Sequence, residues 1–194
     1  MSDYKNILGM LSVFVGLLGS FPYIRDTLNN KTKPHAISWF VWFFLSGIAF
    51  TAQILRQGGA GSWLSAYACL YCLFIFILAL RNNQKSFVLL DWISLVGSVV
   101  ALFVWWLTKD PTGSVILITI IYMCGYIPTI HKGFYQPYEE TIISWALGSV
   151  EFAFSLLALG SYSIVTGLYP FAGLIANGLL ALMLIIRRNQ LYKT

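Results

Sequence analysis

The sequence predicts an all-α membrane protein: seven transmembrane helices arranged as two parallel three-helix repeats joined by a linker helix. Three observations predict it. First, 58% of the 194 residues are hydrophobic and only 10% are charged, against about 25% charged in an ordinary soluble domain. Second, seven apolar stretches approach the roughly 20 residues that a bilayer-spanning helix needs. Third, the chain matches itself without a gap at an offset of 106 residues.

The predicted spans are 5–25, 37–55, 63–81, 88–107, 112–131, 142–160 and 168–187. Seven times about 20 is 140, which leaves 194 − 140 = 54 residues for loops and tails. A separate soluble domain is therefore excluded. The first span is long for a signal-peptide core and lacks a basic cluster at its start, so it reads as a retained helix. Turn-forming residues punctuate the rest, among them Asn29-Asn30 with Lys33-Pro34, Gly58-Gly59-Ala60-Gly61, Lys109-Asp110-Pro111 and Gln136-Pro137.

Orientation follows from the basic residues. On one side lie Lys5, Arg56 and Lys109. On the other lie Arg25, Lys31, Lys33, Arg81, Lys85, Lys132, Arg187, Arg188 and Lys193. Nine against three predicts an outside N-terminus and a cytoplasmic C-terminus. The net charge of +5 is spread singly or in pairs between apolar stretches, which argues against nucleic acid as a partner. Cys69, Cys72 and Cys124 all fall inside hydrophobic runs, so they imply apolar packing rather than a disulfide framework or a metal site. No cofactor is implied.

At offset 106, Gly19, Pro22 and Ile24 fall on Gly125, Pro128 and Ile130, and Ile37-Ser38-Trp39 falls on Ile143-Ser144-Trp145. Gly61 and Ala66 fall on Gly167 and Ala172. Arg81, Asn83 and Gln84 fall on Arg187, Asn189 and Gln190. Shared leucines mean little in apolar helices, but a shared Pro, Ser-Trp and Arg-x-Asn-Gln in constant register indicate duplication. The expected organisation is residues 1–87 as the first repeat, 88–111 as the linker helix and 112–194 as the second repeat. One intervening helix returns the chain to its starting side, so the copies run parallel about an axis normal to the membrane.

Phe21-Pro22-Tyr23-Ile24 and Tyr126-Ile127-Pro128-Thr129, each before a short cytoplasmic loop and a Ser at the next helix start, resemble the PQ-loop superfamily. That superfamily includes SWEET and SemiSWEET sugar transporters, cystinosin-like transporters and the KDEL receptor. The Pro is present twice and the Gln of the motif neither time. The resemblance implies a 3+1+3 fold used for alternating-access or facilitative transport of a small solute. Pro22 and Pro128 then read as paired hinges of the inner gate, since a helical Pro removes one backbone hydrogen bond. The structural alternative is simple tolerance of Pro near membrane helix ends.

Glu151 is the most informative residue. Nine residues into the sixth span it lies roughly 13 Å deep, where an ionised carboxylate costs about 2.5 kcal/mol or more. It is expected to face the bundle interior. Four readings stay open: a proton-coupling acid, a contact for a cationic substrate, a cation site, or a protonated acid hydrogen-bonded between helices. Asn177 sits at matching depth in the seventh span. It occupies the position where SWEET-like proteins use an Asn to bind substrate; an interhelical hydrogen bond is the alternative. The offset places Tyr71 opposite Asn177. Trp42, aligned with Gly148, completes the expected substrate-binding set of Asn177, Tyr71, Glu151 and Trp42, with Glu151 also the proton-coupling residue.

Ser38-Trp39 and Ser144-Trp145 read as helix caps and interfacial anchors. Asp91 reads as interfacial, and His35 and His131 as loop residues. Glu139-Glu140 aligns with Lys33-Pro34, so complementary pairing between these loops is expected at the inner gate. Sugar-carrying relatives place a Trp deeper in the second helix of the repeat, where this chain has Thr51, Ala52 and Gln53; that departure argues against a sugar. The sequence thus predicts a non-enzymatic transporter of a small polar solute in the cell membrane, the inner membrane if prokaryotic. The alternative is a ligand-binding receptor on the same fold, as the KDEL receptor is. The partners expected are a small solute and the lipid bilayer, with a homo-oligomer left open.

Overall fold

In a computed structural model, residues 3–81, 96–97, 99–100, 103–104, 106–108 and 111–192 are described. Among them the chain is helical and forms no strand. The named α-helices are α1 (Asp3–Leu28), α2 (Ala36–Leu55), α3 (Trp63–Arg81), α4 (Pro111–Tyr135), α5 (Ile142–Leu157) and α6 (Ile164–Tyr192), with 3-10 turns at Gly59–Ser62 and Pro137–Glu139. Five helices are long and apolar enough to cross a membrane: α1, α2, α3 with its leading turn, α4 and α6. Most of the expected fourth span, 88–107, with Asp91, lies outside the described residues.

The boundary between the sixth and seventh spans differs from expectation. The sixth span, expected to reach residue 160, stops at Leu157 after 16 residues. At 1.5 Å per residue it is about 24 Å long, shorter than the ~30 Å hydrocarbon layer. The chain leaves the helix there because Leu159 and Gly160 are drawn into the opposite half: Lys5 Nζ donates to Leu159 O at 2.6 Å, and the Gly160 amide to Gly58 O at 2.9 Å. The following helix starts early, at Ile164, and runs 29 residues. His131, expected in a loop, lies in α4, its ring 4.9 Å from that of Tyr135.

The helices are sorted by side-chain size. On α1, Gly9, Ser12, Gly16, Gly19 and Ser20 are buried at three- to four-residue spacing, whereas Ile7, Met10, Phe14, Leu17 and Phe21 are exposed. Apolar bulk facing outward and small residues facing inward is the arrangement of helices packed in lipid, where close backbone approach drives association. Along this stripe α1 meets α5, and Ser12 Oγ donates to Glu151 O at 2.7 Å. Besides α1 on α5, the helix contacts are α2 on α4, α2 on α3, α5 on α6, α1 on α3, α4 on α6, α2 on α6 and α3 on α5. That set is unchanged when α1, α2 and α3 are exchanged for α4, α5 and α6.

One polar network breaks this equivalence. Pro170 lies inside α6 and has no N–H, so the carbonyl four residues earlier, Thr166 O, loses its helical donor. Gln53 of α2, fully buried, supplies a replacement: its Nε2 donates to Thr166 O at 3.0 Å, and its Oε1 accepts from Ser65 Oγ of α3 at 2.7 Å. Leaving such a buried carbonyl unpaired costs about 1–3 kcal/mol. Gln53→Leu is therefore expected to lower unfolding stability in detergent by about that amount. In a Pro170→Ala background, where an N–H returns to Thr166 O, the same substitution should cost clearly less. A double-mutant cycle of thermal melts checks this, and equal costs in both backgrounds contradict it.

Candidate functional site

Where the two sets of helices face each other, a cavity of about 70 Å³ remains, with walls drawn from all six named helices. The four expected substrate-binding residues, Glu151, Asn177, Tyr71 and Trp42, all line it. Glu151 enters from α5, its carboxylate directed at α1. A Cβ built on Gly16 would lie 2.6 Å from Glu151 Oε2 and 2.7 Å from the Tyr67 ring, so only Gly leaves room for the acid at that point. Among the described residues the Glu151 carboxylate has neither an ion pair nor a hydrogen bond, and no Lys, Arg or His lines the cavity.

Asn177 is buried, and its amide is turned along its own helix: Nδ2 donates to Gly173 O at 2.7 Å. Its Oδ1 lies against α5, 2.7 Å from where a Cβ on Gly148 would sit. Trp42 is buried and donates from Nε1 to Tyr122 O at 3.4 Å. Tyr71 stacks on Tyr67 at 5.9 Å and meets the edge of Trp39 at 5.3 Å.

The wall is far more aromatic than expected. Trp39 and Trp145, expected as interfacial anchors, are instead buried and line the cavity. With Trp42 they form a closed cluster, with centroids 5.2, 6.2 and 6.4 Å apart. Tyr23 packs on both Trp39 and Trp145, at 5.2 and 6.0 Å. Tyr122, Tyr126 and Tyr169 close the α4–α6 side, the first two sharing a 2.8 Å hydrogen bond. His35 and Thr141 occupy the helix caps, which places Ser38-Trp39 and Ser144-Trp145 in the first turn rather than at the cap. The expected cap role of these serines is therefore not what is seen. Ser38 is 3.2 Å from His35 Nδ1, and Ser144 Oγ is buried without a partner among the described residues.

Contacts between the two sets of helices flank the cavity at both ends. At the end that carries the basic residues, Lys33 pairs with Glu139, as the loop alignment leads one to expect. Thr32 and Thr141 share a 2.6 Å hydrogen bond, and Thr141 Oγ1 donates to Asp26 Oδ2 at 3.2 Å. A second pair, Lys132–Glu140, was not legible in the sequence; it lies within α4 and the loop to α5, its carboxylate is almost wholly buried, and Lys132 Nζ reaches across to donate to Lys33 O at 2.5 Å. Trp145 Nε1 donates to Glu140 Oε2 at 3.1 Å, so one indole belongs both to the cavity wall and to this closure. At the opposite, glycine-rich end, Ser155 Oγ donates to Gly61 O at 2.8 Å, beside the Gly58–Gly160 and Gln53–Thr166 bonds.

Pro22 lies within α1, which continues unbroken to Leu28. It is not part of the cavity wall, though its neighbour Tyr23 is. Pro128 lies within α4, and its side chain is outside the described residues. Searches of protein-family models, of curated proteins and of solved structures find no match to this chain.

The two ion pairs differ in burial, and the difference has a measurable consequence. Removing one partner of a buried pair costs about 3–5 kcal/mol, whereas a pair as open as Lys33–Glu139 is worth about 1 kcal/mol or less. Glu140→Gln is thus expected to lower the melting temperature far more than Lys33→Gln does. Comparable shifts for both would contradict this assignment of the closure.

Proposed function

We propose that this chain is a membrane transporter of a small polar solute that works by alternating access between two three-helix halves. One half would be α1, α2 and α3, the other α4, α5 and α6. The segment 88–107 would be the linker helix that completes seven spans and a 3+1+3 plan. The observation that carries the reading is an uncompensated carboxylate, Glu151, inside a cavity that both sets of helices build and whose two ends are flanked by contacts between them.

Symmetry supports the division into halves. The helix contacts survive exchange of the two sets. Two residue pairs related by the offset of 106 also meet their own counterparts: Lys33 with Glu139, and Trp39 with Trp145 at 6.4 Å. Counterparts related by a twofold touch only on its axis, so both pairs mark that axis, one at the basic end and one in the cavity wall. An axis along the membrane normal is what parallel repeats generate. The resemblance of the Pro22 and Pro128 segments to the PQ-loop superfamily fits the same plan, with the two prolines as hinges.

The excess of basic residues at the Lys33 end makes it the cytoplasmic side of a multi-pass cell-membrane protein. Opening inward would part Lys33 from Glu139 and Thr32 from Thr141. Opening outward would part the backbone and serine contacts around Gly58–Gly61 and Gly160. Because Trp145 also holds Glu140, a solute pressing on the wall at Trp145 acts directly on the inner closure. Glu151 is the coupling group: it meets either a proton or a cationic group on the solute. We assign no enzymatic step.

The test is uptake into proteoliposomes across a solute panel under an imposed pH gradient. Wild-type uptake should respond to the gradient, and Glu151→Gln should remove that response. Uptake by Glu151→Gln that keeps the wild-type pH response would eliminate the coupling role. A second test concerns the closure. Lys33→Glu or Glu139→Lys alone should impair uptake, and the double swap should restore it; failure of rescue would remove Lys33–Glu139 from the gate.

A further inference from the structure

We propose that the cavity is a binding site for a compact organic cation. The inference deepens the transport reading and rests on it for passage across the membrane, but not for binding.

The first argument is the inventory of polar groups. Several donors in the wall are already engaged by protein: Asn177 Nδ2 by Gly173 O at 2.7 Å, Trp42 Nε1 by Tyr122 O at 3.4 Å, Trp145 Nε1 by Glu140 at 3.1 Å, and the Tyr67 hydroxyl by Ser20 at 2.8 Å, while the Ser144 hydroxyl is open among the described residues. The Glu151 carboxylate is not engaged. A wall with an open acid and, among the described residues, no Lys, Arg or His suits a ligand that brings positive charge and offers little to an anion.

The second argument is the wall itself. Trp39, Trp42 and Trp145 surround one part of the cavity, and Tyr23 and Tyr71 flank Trp39. Aromatic faces carry negative quadrupole density and hold alkylammonium groups when several rings converge. An inorganic cation is disfavoured, because Ca²⁺ takes 6–8 oxygen ligands and this wall presents one carboxylate among rings. The third argument is charge balance. The lysines at the basic end are paired there, Lys33 with Glu139 and Lys132 with Glu140, so when Glu151 is ionised its compensating charge comes with the ligand. The volume of about 70 Å³ sets the size: a headgroup of a few heavy atoms.

The experiment uses the full chain in detergent and two probes of equal shape, choline and its uncharged isostere 3,3-dimethylbutan-1-ol. Quenching of intrinsic fluorescence reads binding through the three cavity tryptophans. Choline should bind saturably and the alcohol at least about tenfold more weakly. Glu151→Gln should erase that preference, and Glu151→Asp should retain it. Equal binding of the two probes to the unaltered protein would overturn the proposal whether or not the variants fold. So would failure of choline, tetramethylammonium and methylammonium all to bind. Uptake into proteoliposomes separates the two readings. Choline binding without entry refutes transport and leaves the cation site standing; entry of an uncharged solute with no preference for choline does the reverse.

Discussion

A carboxylate held among apolar helices, with no cation beside it, must be given somewhere to face, and the rest of the structure follows from how this chain does so. Glu151 lies on a helix with lipid-sized side chains on its outer face, such as Val150 and Leu157. Turning the acid outward would cost several kcal/mol. Turning it inward requires space, and Gly16 on α1 provides it by having no Cβ where Oε2 lies. The small-residue stripe of α1 thus has two duties: it lets α1 and α5 approach closely, and it leaves a chamber for the acid.

That chamber is bounded at both ends by contacts between the two sets of helices, while along its length α1 and α5 still meet at Ser12 and Glu151. At the basic end the closure is ionic and hydroxyl-rich, with one pair half in solvent and one pair buried. At the glycine end it is made mainly of backbone carbonyls accepting from side chains and amides across the halves. The second kind holds one cation, Lys5, and no ion pair among the described residues, so the two ends differ in how salt and protonation act on them. Gln53 adds a further asymmetry. It mends a helix that Pro170 would otherwise leave with an open carbonyl, and in doing so ties α2 to α6.

The sequence was most informative where chemistry was improbable. A lone acid at mid-depth, an Asn at matching depth and the residue that the offset sets opposite it were enough to name Glu151, Asn177 and Tyr71, and all three line one cavity. The Lys33–Glu139 contact came from the same alignment. The aromatic wall was not legible. In lipid, a large apolar ring is favourable on either face of a helix, so Trp39 and Trp145 read equally well as interfacial anchors. What turns them inward is the packing of α2 and α5 against the other helices, which hydropathy does not display. The ends of α5 and α6 were misplaced for a related reason: apolar runs show where a helix is tolerated, whereas contacts of Leu159 and Gly160 across the halves decide where it stops. One missed device did leave a trace. Pro170 mid-helix demands a donor for Thr166 O, and Gln53 is a buried amide in an apolar helix that borders the same end.

Alternating access requires that the two ends of the chamber open in turn. Spin labels at Asn29 and Tyr138 report the basic end, and labels at Gln57 and Tyr162 the glycine end. Electron paramagnetic resonance distances in lipid should show each pair with a short and a long population, and conditions that lengthen one pair should hold the other short. A single fixed distance for both pairs under every pH and solute condition, or simultaneous lengthening at both ends, would contradict it.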